Sequence, residues 1–345
     1  MSSLMIGVIL ALVAGTLNGS FAAPIKFAKI WKWENIWSLW AFFGMVVFPW
    51  LLVYLTIPNA GNAYHGVPTN SLLLMITFGV GFGLAQIFFG LGVASIGMAL
   101  NFAIAIGLST VLGSLVPLLM LHGEKVFTAQ GGVIILGVLL TLVGIIGCAL
   151  AGKMKDKHLE GAAPRPREST AVAISFKWGL IICILAGIGS PLQNFGLAFG
   201  APLLARAAAQ GVNPSSRANI IWAPINTAAF IPYILYCLYL FKKHNSGRLF
   251  VAAGTGRNWG FGALMGALWF SSTAIYGAVS ARLGEMGPVL GWPLFMSAII
   301  IASNAWGFAT GEWKGAGSKA RDTMVGSIIF LILGFAALAY AGSLG

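Results

Sequence analysis

Long apolar runs separated by short polar stretches are the dominant pattern along this chain of 345 residues. The runs lie at about residues 4–24, 36–57, 71–93, 97–121, 127–151, 176–200, 218–241, 258–281, 287–309 and 323–343. A helix needs about 20 apolar residues to cross a hydrocarbon core of about 30 Å. The pattern therefore predicts an all-α membrane protein with ten transmembrane helices.

The junctions between the runs add detail to this prediction. The third and fourth runs are nearly continuous, and the break around Ser95-Ile96-Gly97 predicts a tight helical hairpin. The sixth run continues as a semi-polar helix to about Gln210. The longest polar stretch runs from Lys153 to Thr170, and its prolines indicate a linker. We expect a first five-helix unit at residues 1–152, a linker at 153–175 and a second unit at 176–345.

Short sequence matches recur between the two units at a nearly constant offset. The matching segments are 7–15 and 179–187, 89–97 and 276–284, 123–124 and 311–312, and 142–152 and 332–342, at offsets of 172, 187, 188 and 190. Because each unit has five spans, an odd number, the second unit would enter the membrane upside down relative to the first. Two inverted repeats are typical of carriers that expose a central site alternately to each side.

Composition and charge place most of this surface in lipid and give it an orientation. Apolar residues make up 58% of the chain and charged residues 8%, whereas soluble domains carry about 25% charged residues. The net charge of +12 does not indicate nucleic-acid binding, because the basic residues lie between the apolar runs. The odd-numbered loops, which are those that follow spans 1, 3, 5, 7 and 9, hold 16 of the 20 Lys and Arg residues. The positive-inside rule puts these loops in the cytoplasm and both termini outside.

Motifs of catalysis and of cofactor binding are absent from the sequence. There is no HExxH, GxSxG or GxxxxGK[ST] motif, and the four histidines lie in loops. Cys148, Cys183 and Cys237 lie in or beside apolar runs without metal-ligand spacing, which favours a packing role. We therefore expect neither an enzyme nor a bound cofactor.

Amides and aromatic residues inside the predicted spans are the candidate binding residues. The amides at membrane depth are Asn18, Gln86, Asn101, Gln193, Asn194, Asn226 and Asn304. An unpaired amide in hydrocarbon is unfavourable, so each must face another helix or an aqueous cavity. Amides both donate to and accept from hydroxyl groups, and an indole such as that of Trp292 packs on the apolar face of a sugar ring. We expect Asn18, Gln86, Asn101, Gln193, Asn194, Asn226 and Trp292 to bind a neutral polar solute. Trp31, Trp33 and Trp37 are interpreted as membrane-interface residues.

The acidic residues point away from a cation pathway. All eight lie in loops or at span ends, so no buried acidic ring or stripe is present. An ion channel or a metal transporter is therefore disfavoured.

The segment after the first span resembles a known family. It reads Ala23-Pro24-Ile25-Lys26, then Lys29, Trp31-Lys32-Trp33-Glu34 and Trp37. This pattern, AP-x-K-x-x-K-x-W-x-W-E-x-x-W, is similar to that of the bacterial L-rhamnose–proton symporters of the drug/metabolite transporter superfamily. Weaker similarities follow in the same order at 78–79, 90–91, 97–98, 104–107, 312–313 and 316–317.

The resemblance implies ten helices in a bacterial inner membrane and uptake of a 6-deoxyhexose coupled to protons. Its partners would be a small neutral sugar, protons and the lipid bilayer. The spans contain no central carboxylate or histidine, so Glu285 and Glu34 at span ends are the coupling candidates. A metabolite or drug exporter and an uncoupled sugar facilitator of the same superfamily are the alternatives.

Overall fold

The computed structural model describes residues 2–160 and 175–344. Within them it contains ten helical segments long and apolar enough to cross a membrane, and no strand, which confirms the predicted fold class. We number these segments spans 1–10. Eight spans are single helices: Ser3–Ser20 (span 1), Thr69–Ile96 (span 3), Met98–Leu121 (span 4), Ala129–Glu160 (span 5), Asn219–His244 (span 7), Gly256–Arg282 (span 8), Gly287–Ala309 (span 9) and Ser318–Ala341 (span 10).

Spans 2 and 6 are each built from several helical segments. Span 2 consists of Trp33–Ala41, a π-helical segment Phe42–Val47 and Phe48–Thr56. Span 6 consists of Phe176–Gly189, Leu192–Ala198 and Ala201–Ala209. Proline has no N–H to donate and clashes with the preceding turn, so Pro191 accounts for the first break in span 6. The sequence predicted the extent of span 6 but not its second break, between Leu192–Ala198 and Ala201–Ala209.

The described connections between spans contain several short helices. A helix at Ala60–Tyr64 and 3₁₀ helices at Ala23–Phe27, Gly123–Lys125, Pro214–Ser216, Gly247–Val251 and Gly284–Met286 lie between spans. The predicted hairpin between spans 3 and 4 is confirmed: Gly97 alone separates the two helices, with φ of +86°. Gly284, between spans 8 and 9, has φ of +69°. Both values lie in the region that glycine enters without a steric penalty.

Span 5 is longer than its apolar run. The helix continues to Glu160, so residues 153–160, which the sequence analysis assigns to the linker, form its last turns. Residues 161–174, the rest of that segment up to Ser175, lie outside the described residues.

The packing of the spans follows the same pattern in both halves. Span 1 packs on spans 8 and 9, and span 6 packs on spans 3 and 4. Span 2 packs on span 8, and span 7 packs on span 3. Three pairs of corresponding spans also pack directly on each other: 2 with 7, 4 with 9, and 5 with 10. When each span is replaced by the span at the same position in the other half, every contact in this set becomes a contact that is also present. For example, the contact between spans 1 and 8 becomes the contact between spans 6 and 3.

Two buried asparagines join the ends of spans 2 and 7. Asn35, in the first turn of span 2, donates to the carbonyl oxygen of Ser246 just after span 7, at 3.0 Å. Asn219, in the first turn of span 7, donates to the hydroxyl of Thr56 at the end of span 2, also at 3.0 Å. Each amide therefore joins the start of one span to the end of the other.

Candidate substrate site

A cavity of about 800 Å³ lies in the centre of the helical bundle. One end reaches the residues around loops 1–2, 3–4, 5–6 and 9–10, where Met98, Asp156 and Glu312 line it and are exposed. The other end stops at Ser109 and Gln193 in the middle of spans 4 and 6, and at Trp292 in the second turn of span 9. The cavity therefore opens towards the odd-numbered loops.

Aromatic side chains form one wall of the cavity. Trp37 and Trp40 pack edge to face with ring centroids 5.1 Å apart, and Trp40 packs on Trp269 at 5.2 Å. Phe82 stacks on Trp269 at 6.4 Å. The buried indole nitrogens of Trp37 and Trp40 have no hydrogen-bond partner within the described chain. Such a wall suits the apolar face of a sugar ring.

The structure places two of the predicted interface tryptophans in this wall. Trp33 and Trp37 line the cavity together with Trp40, which the sequence analysis did not single out. The three positions recur at intervals of four and three residues, which puts them on one face of span 2. That spacing was the signal available in the sequence.

Amide side chains line the cavity on other spans. Asn18 donates to the hydroxyl of Ser272 at 2.8 Å, and Gln193 donates to the side-chain oxygen of Asn226 at 2.8 Å. Gln86 lines the cavity without a hydrogen bond to any described residue. Asn304 also lines it and donates to the carbonyl oxygen of Ile300 at 2.9 Å. These amide side chains can donate hydrogen bonds to sugar hydroxyls and accept hydrogen bonds from them.

Three of the predicted amides lie outside the cavity lining. Asn101 is fully buried, where it donates to the carbonyl oxygen of Phe89 at 3.3 Å and accepts from the thiol of Cys183 at 2.9 Å. Asn226 is buried behind Gln193, and its amide nitrogen has no partner in the described residues. Asn194 is buried beyond the closed end. The structure thus gathers Asn18, Gln86, Gln193 and Trp292 around one space.

Hydrogen bonds between spans seal the closed end. The amide nitrogen of Asn194 donates to the carbonyl oxygen of Gly113 at 2.7 Å and to that of Pro288 at 3.1 Å. The indole nitrogen of Trp292 donates to the carbonyl oxygen of Ser109 at 2.9 Å. Four spans meet here, because the hydroxyl of Tyr276 in span 8 also donates to the side-chain oxygen of Asn194.

Charged residues that line the cavity lie at its open end. They are Lys155, Asp156 and Glu312, and the ammonium group of Lys155 sits 4.9 Å from the ring centroid of Trp313. Among the described residues, no group of three or more His, Cys, Asp and Glu side chains could hold a metal ion. The deep part of the cavity therefore suits a neutral solute rather than an ion.

The two coupling candidates have different environments. Glu34 is 2% exposed; its carboxylate accepts from the Ser246 hydroxyl at 2.5 Å and pairs with Nδ1 of His244 at 3.0 Å. Glu285 is exposed in the turn between spans 8 and 9. Neither residue lines the cavity.

In the described part of the chain, a bundle of ten membrane-spanning helices around a central cavity that is open at one end defines a multi-pass transporter of small solutes. The family model for the L-rhamnose-proton symport protein (RhaT) matches residues 1–342. This chain belongs to that family, which is a family of transporters and not of enzymes.

Curated relatives agree with this assignment. The chain is 26% identical to the L-rhamnose-proton symporter of Mannheimia succiniciproducens over 338 residues. It is 25% identical to that of Shigella dysenteriae over 339 residues and 26% identical to that of Pectobacterium carotovorum over 337 residues. Each match covers 96% of both chains.

Proposed function

We propose that this protein is a secondary carrier that takes up L-rhamnose, or a related 6-deoxyhexose or glycoside, together with protons. The central cavity carries this proposal. It combines an indole wall with amides on several spans and holds its charged groups only at the mouth. The relatives are named L-rhamnose-proton symporters, and this name supplies the sugar and the coupling ion of the proposal.

The cavity volume and its side chains fit a monosaccharide. Small-molecule sites in proteins are typically about 300–1,000 Å³, and this cavity is about 800 Å³. Gln86 and Gln193 would bind hydroxyl groups, and Asn18 would do so with the side-chain oxygen that its bond to Ser272 leaves free to accept. Trp292 would pack beside the sugar at the closed end. Asn101, Asn194 and Asn226 would act indirectly, by holding the spans that carry these groups.

The orientation of the basic loops supports a bacterial inner-membrane protein with both termini outside. The open end of the cavity lies on the side of the odd loops, which hold most of the Lys and Arg residues. With those loops in the cytoplasm, the cavity faces inward. The structure would then correspond to the state that releases sugar into the cell.

Inverted repeats at residues 1–152 and 176–345 would provide the alternating motion. Three observations support them: the span contacts that recur after a shift of five, the hairpin glycines Gly97 and Gly284, and the reciprocal bonds of Asn35 and Asn219. Exchanging the conformations of the two repeats would close the open end and open the closed one.

Glu34 is the stronger of the two coupling candidates. It is the only acidic residue among the buried side chains of the described chain, and its partners Ser246 and His244 join span 2 to the end of span 7. A proton on Glu34 would remove its negative charge and change its hydrogen bonds to Ser246 and His244 at that junction. The exposed Glu285 has no described partner that would make its protonation affect the spans.

Uptake of labelled sugars by bacteria that lack their own rhamnose transport tests the substrate. We expect uptake of L-rhamnose in cells that express this chain, and its inhibition by an excess of unlabelled L-rhamnose but not of an anionic sugar phosphate. Uptake of no 6-deoxyhexose would refute the substrate assignment. Uptake that is insensitive to collapse of the proton gradient would leave the sugar assignment standing and identify an uncoupled facilitator.

A further inference from the structure

Asn194 is the centre of the hydrogen bonds that close the outer end of the cavity. It is fully buried, and it contacts span 4 through Gly113, span 8 through Tyr276 and the start of span 9 through Pro288. Both of its N–H groups donate and its side-chain oxygen accepts, so this one amide joins four spans. The start of span 9 cannot move away from spans 4 and 6 while these bonds are intact.

Asn18 occupies a comparable position in span 1, at the open end. Span 6 contacts span 4 through Gly187, which leaves no space for a Cβ beside Leu108, and then through Asn194. Span 1 contacts span 9 in the same way through Gly15 and Gly19, which flank Asn18 and lie against Ala298 and the carbonyl oxygen of Ile299. The offset of 172 aligns Gly15 with Gly187. Asn18 lies three residues beyond Gly15 and Asn194 seven residues beyond Gly187, so the two amides differ by about one helical turn in their distance from these glycine contacts.

In the present state the two amides are used differently. Asn18 lines the cavity and makes one side-chain hydrogen bond, to Ser272. The start of span 4, which corresponds to the start of span 9 at the offset of 187, also borders the cavity, through Met98 and Phe102. Movement of this segment towards span 1 would close the mouth and bring its carbonyl groups towards Asn18.

We infer that Asn194 and Asn18 are paired gate residues of the transport cycle. Asn194 holds the outer gate closed in the inward-facing state, and Asn18 holds the inner gate closed in the outward-facing state. Asn18 would do so through carbonyl oxygens near Ile300 in span 9 and Asn101 in span 4, the counterparts of Gly113 and Pro288 at the offset of 187. This inference rests on the proposed alternating-access function, and both amides act on the position of the spans.

Tyr276 makes a contact in the outer gate that the inner gate would lack. Tyr276 donates its hydroxyl to Asn194, whereas the residue at the corresponding position of span 3 is Phe89, which has no hydroxyl. The inner gate would therefore have at least one hydrogen bond fewer than the outer gate. Without substrate, the protein would favour the inward-facing state that the structure represents.

Cysteine labelling from each side of the membrane tests the inference. The native Cys148 lines the cavity and reports opening to the inside, while Cys183 and Cys237 are buried. Val289→Cys, at a buried position beside the outer gate, reports opening to the outside. A membrane-impermeant maleimide would be applied to intact cells and to inside-out vesicles, with modification of each cysteine measured by mass spectrometry.

Opposite shifts are expected for the two variants. Asn194→Ala should raise outside labelling of Val289→Cys by at least about tenfold, because several hydrogen bonds are lost, and lower inside labelling of Cys148. Asn18→Ala should lower outside labelling and leave Cys148 accessible from inside. Gln130→Ala is the matched control, because Gln130 is a buried amide that donates to the carbonyl oxygen of Ala341 in span 10 at 3.0 Å and makes no hydrogen bond to either gate amide. It should leave the ratio of the two labelling rates unchanged.

The inference is overturned if Asn194→Ala labels like the parent, or if both variants shift the ratio in the same direction. If Asn194→Ala does not accumulate in the membrane, Tyr276→Phe removes a single gate bond and should shift labelling in the same direction by a smaller factor. Opposite shifts in a protein that moves no tested sugar would support the gates and refute the substrate assignment.

Discussion

Gly83 provides a sharp test of the packing that shapes the cavity. It lies in span 3, one turn before the cavity residue Gln86, where the backbone of span 3 approaches span 7. A Cβ at this position would lie 2.2 Å from the carbonyl oxygen of Ala229, whereas ordinary contacts begin at 3.4 Å. Gly79, one turn earlier, has the same relation to Ile225 at 2.3 Å. The obstruction at Gly83 is backbone, which cannot rotate away.

Gly83→Ala should therefore force spans 3 and 7 apart. Overpacking of this kind typically costs about 1–3 kcal/mol, which exceeds the gain of about 1 kcal/mol from replacing glycine by alanine in a helix. Gly326→Ala in span 10 is the matched control, because a Cβ there would meet nothing within 4 Å. We expect Gly83→Ala to lower both the unfolding temperature in detergent and the rate of sugar uptake, and Gly326→Ala to keep or raise the unfolding temperature. Equal unfolding temperatures for the two variants would refute the close approach of spans 3 and 7.

Further predictions concern the cavity and the coupling residue. Gln86→Leu should raise the KM for sugar by about two- to twelvefold, the effect of one neutral hydrogen bond, with little change in the unfolding temperature because Gln86 has no described partner in the protein. Trp37→Leu should weaken sugar binding by removing an aromatic face, and tryptophan-fluorescence titration measures this; an unchanged affinity would exclude this wall from the binding site. Glu34→Gln keeps a polar group beside Ser246 and removes the charge, so it should abolish the dependence of uptake on the proton gradient while sugar counterflow persists. Retained gradient dependence would exclude Glu34 as the coupling group.

The sequence predicted the spans well, because length and hydropathy decide whether a helix crosses a membrane. The hairpin at Gly97 was also predictable, since a single glycine separates two long apolar runs. The π-helical segment at Phe42–Val47 and the second break in span 6 near Gly200 were not predicted. In a uniformly apolar segment, such local changes depend on how neighbouring spans pack, and the residue pattern carries little of that information.

The candidate site was predictable only in part. Buried amides had to face either another helix or the cavity, and the sequence could not distinguish these environments, because lipid-facing and interior faces are both apolar. Asn101 and Asn18 illustrate this: both lie at membrane depth, yet Asn101 is fully enclosed by protein groups and Asn18 lines the cavity. The aromatic wall was missed because tryptophans near a span end are also typical of the membrane interface.

Transport of L-rhamnose by the purified protein in proteoliposomes tests the central claim most directly. With an imposed proton gradient, the account predicts accumulation of labelled L-rhamnose above its external concentration, and loss of that accumulation when an uncoupler is added. Counterflow without a gradient should exchange labelled for unlabelled L-rhamnose. Absence of both accumulation and counterflow, for L-rhamnose and related 6-deoxyhexoses, would contradict the claim that this cavity carries a neutral sugar across the membrane.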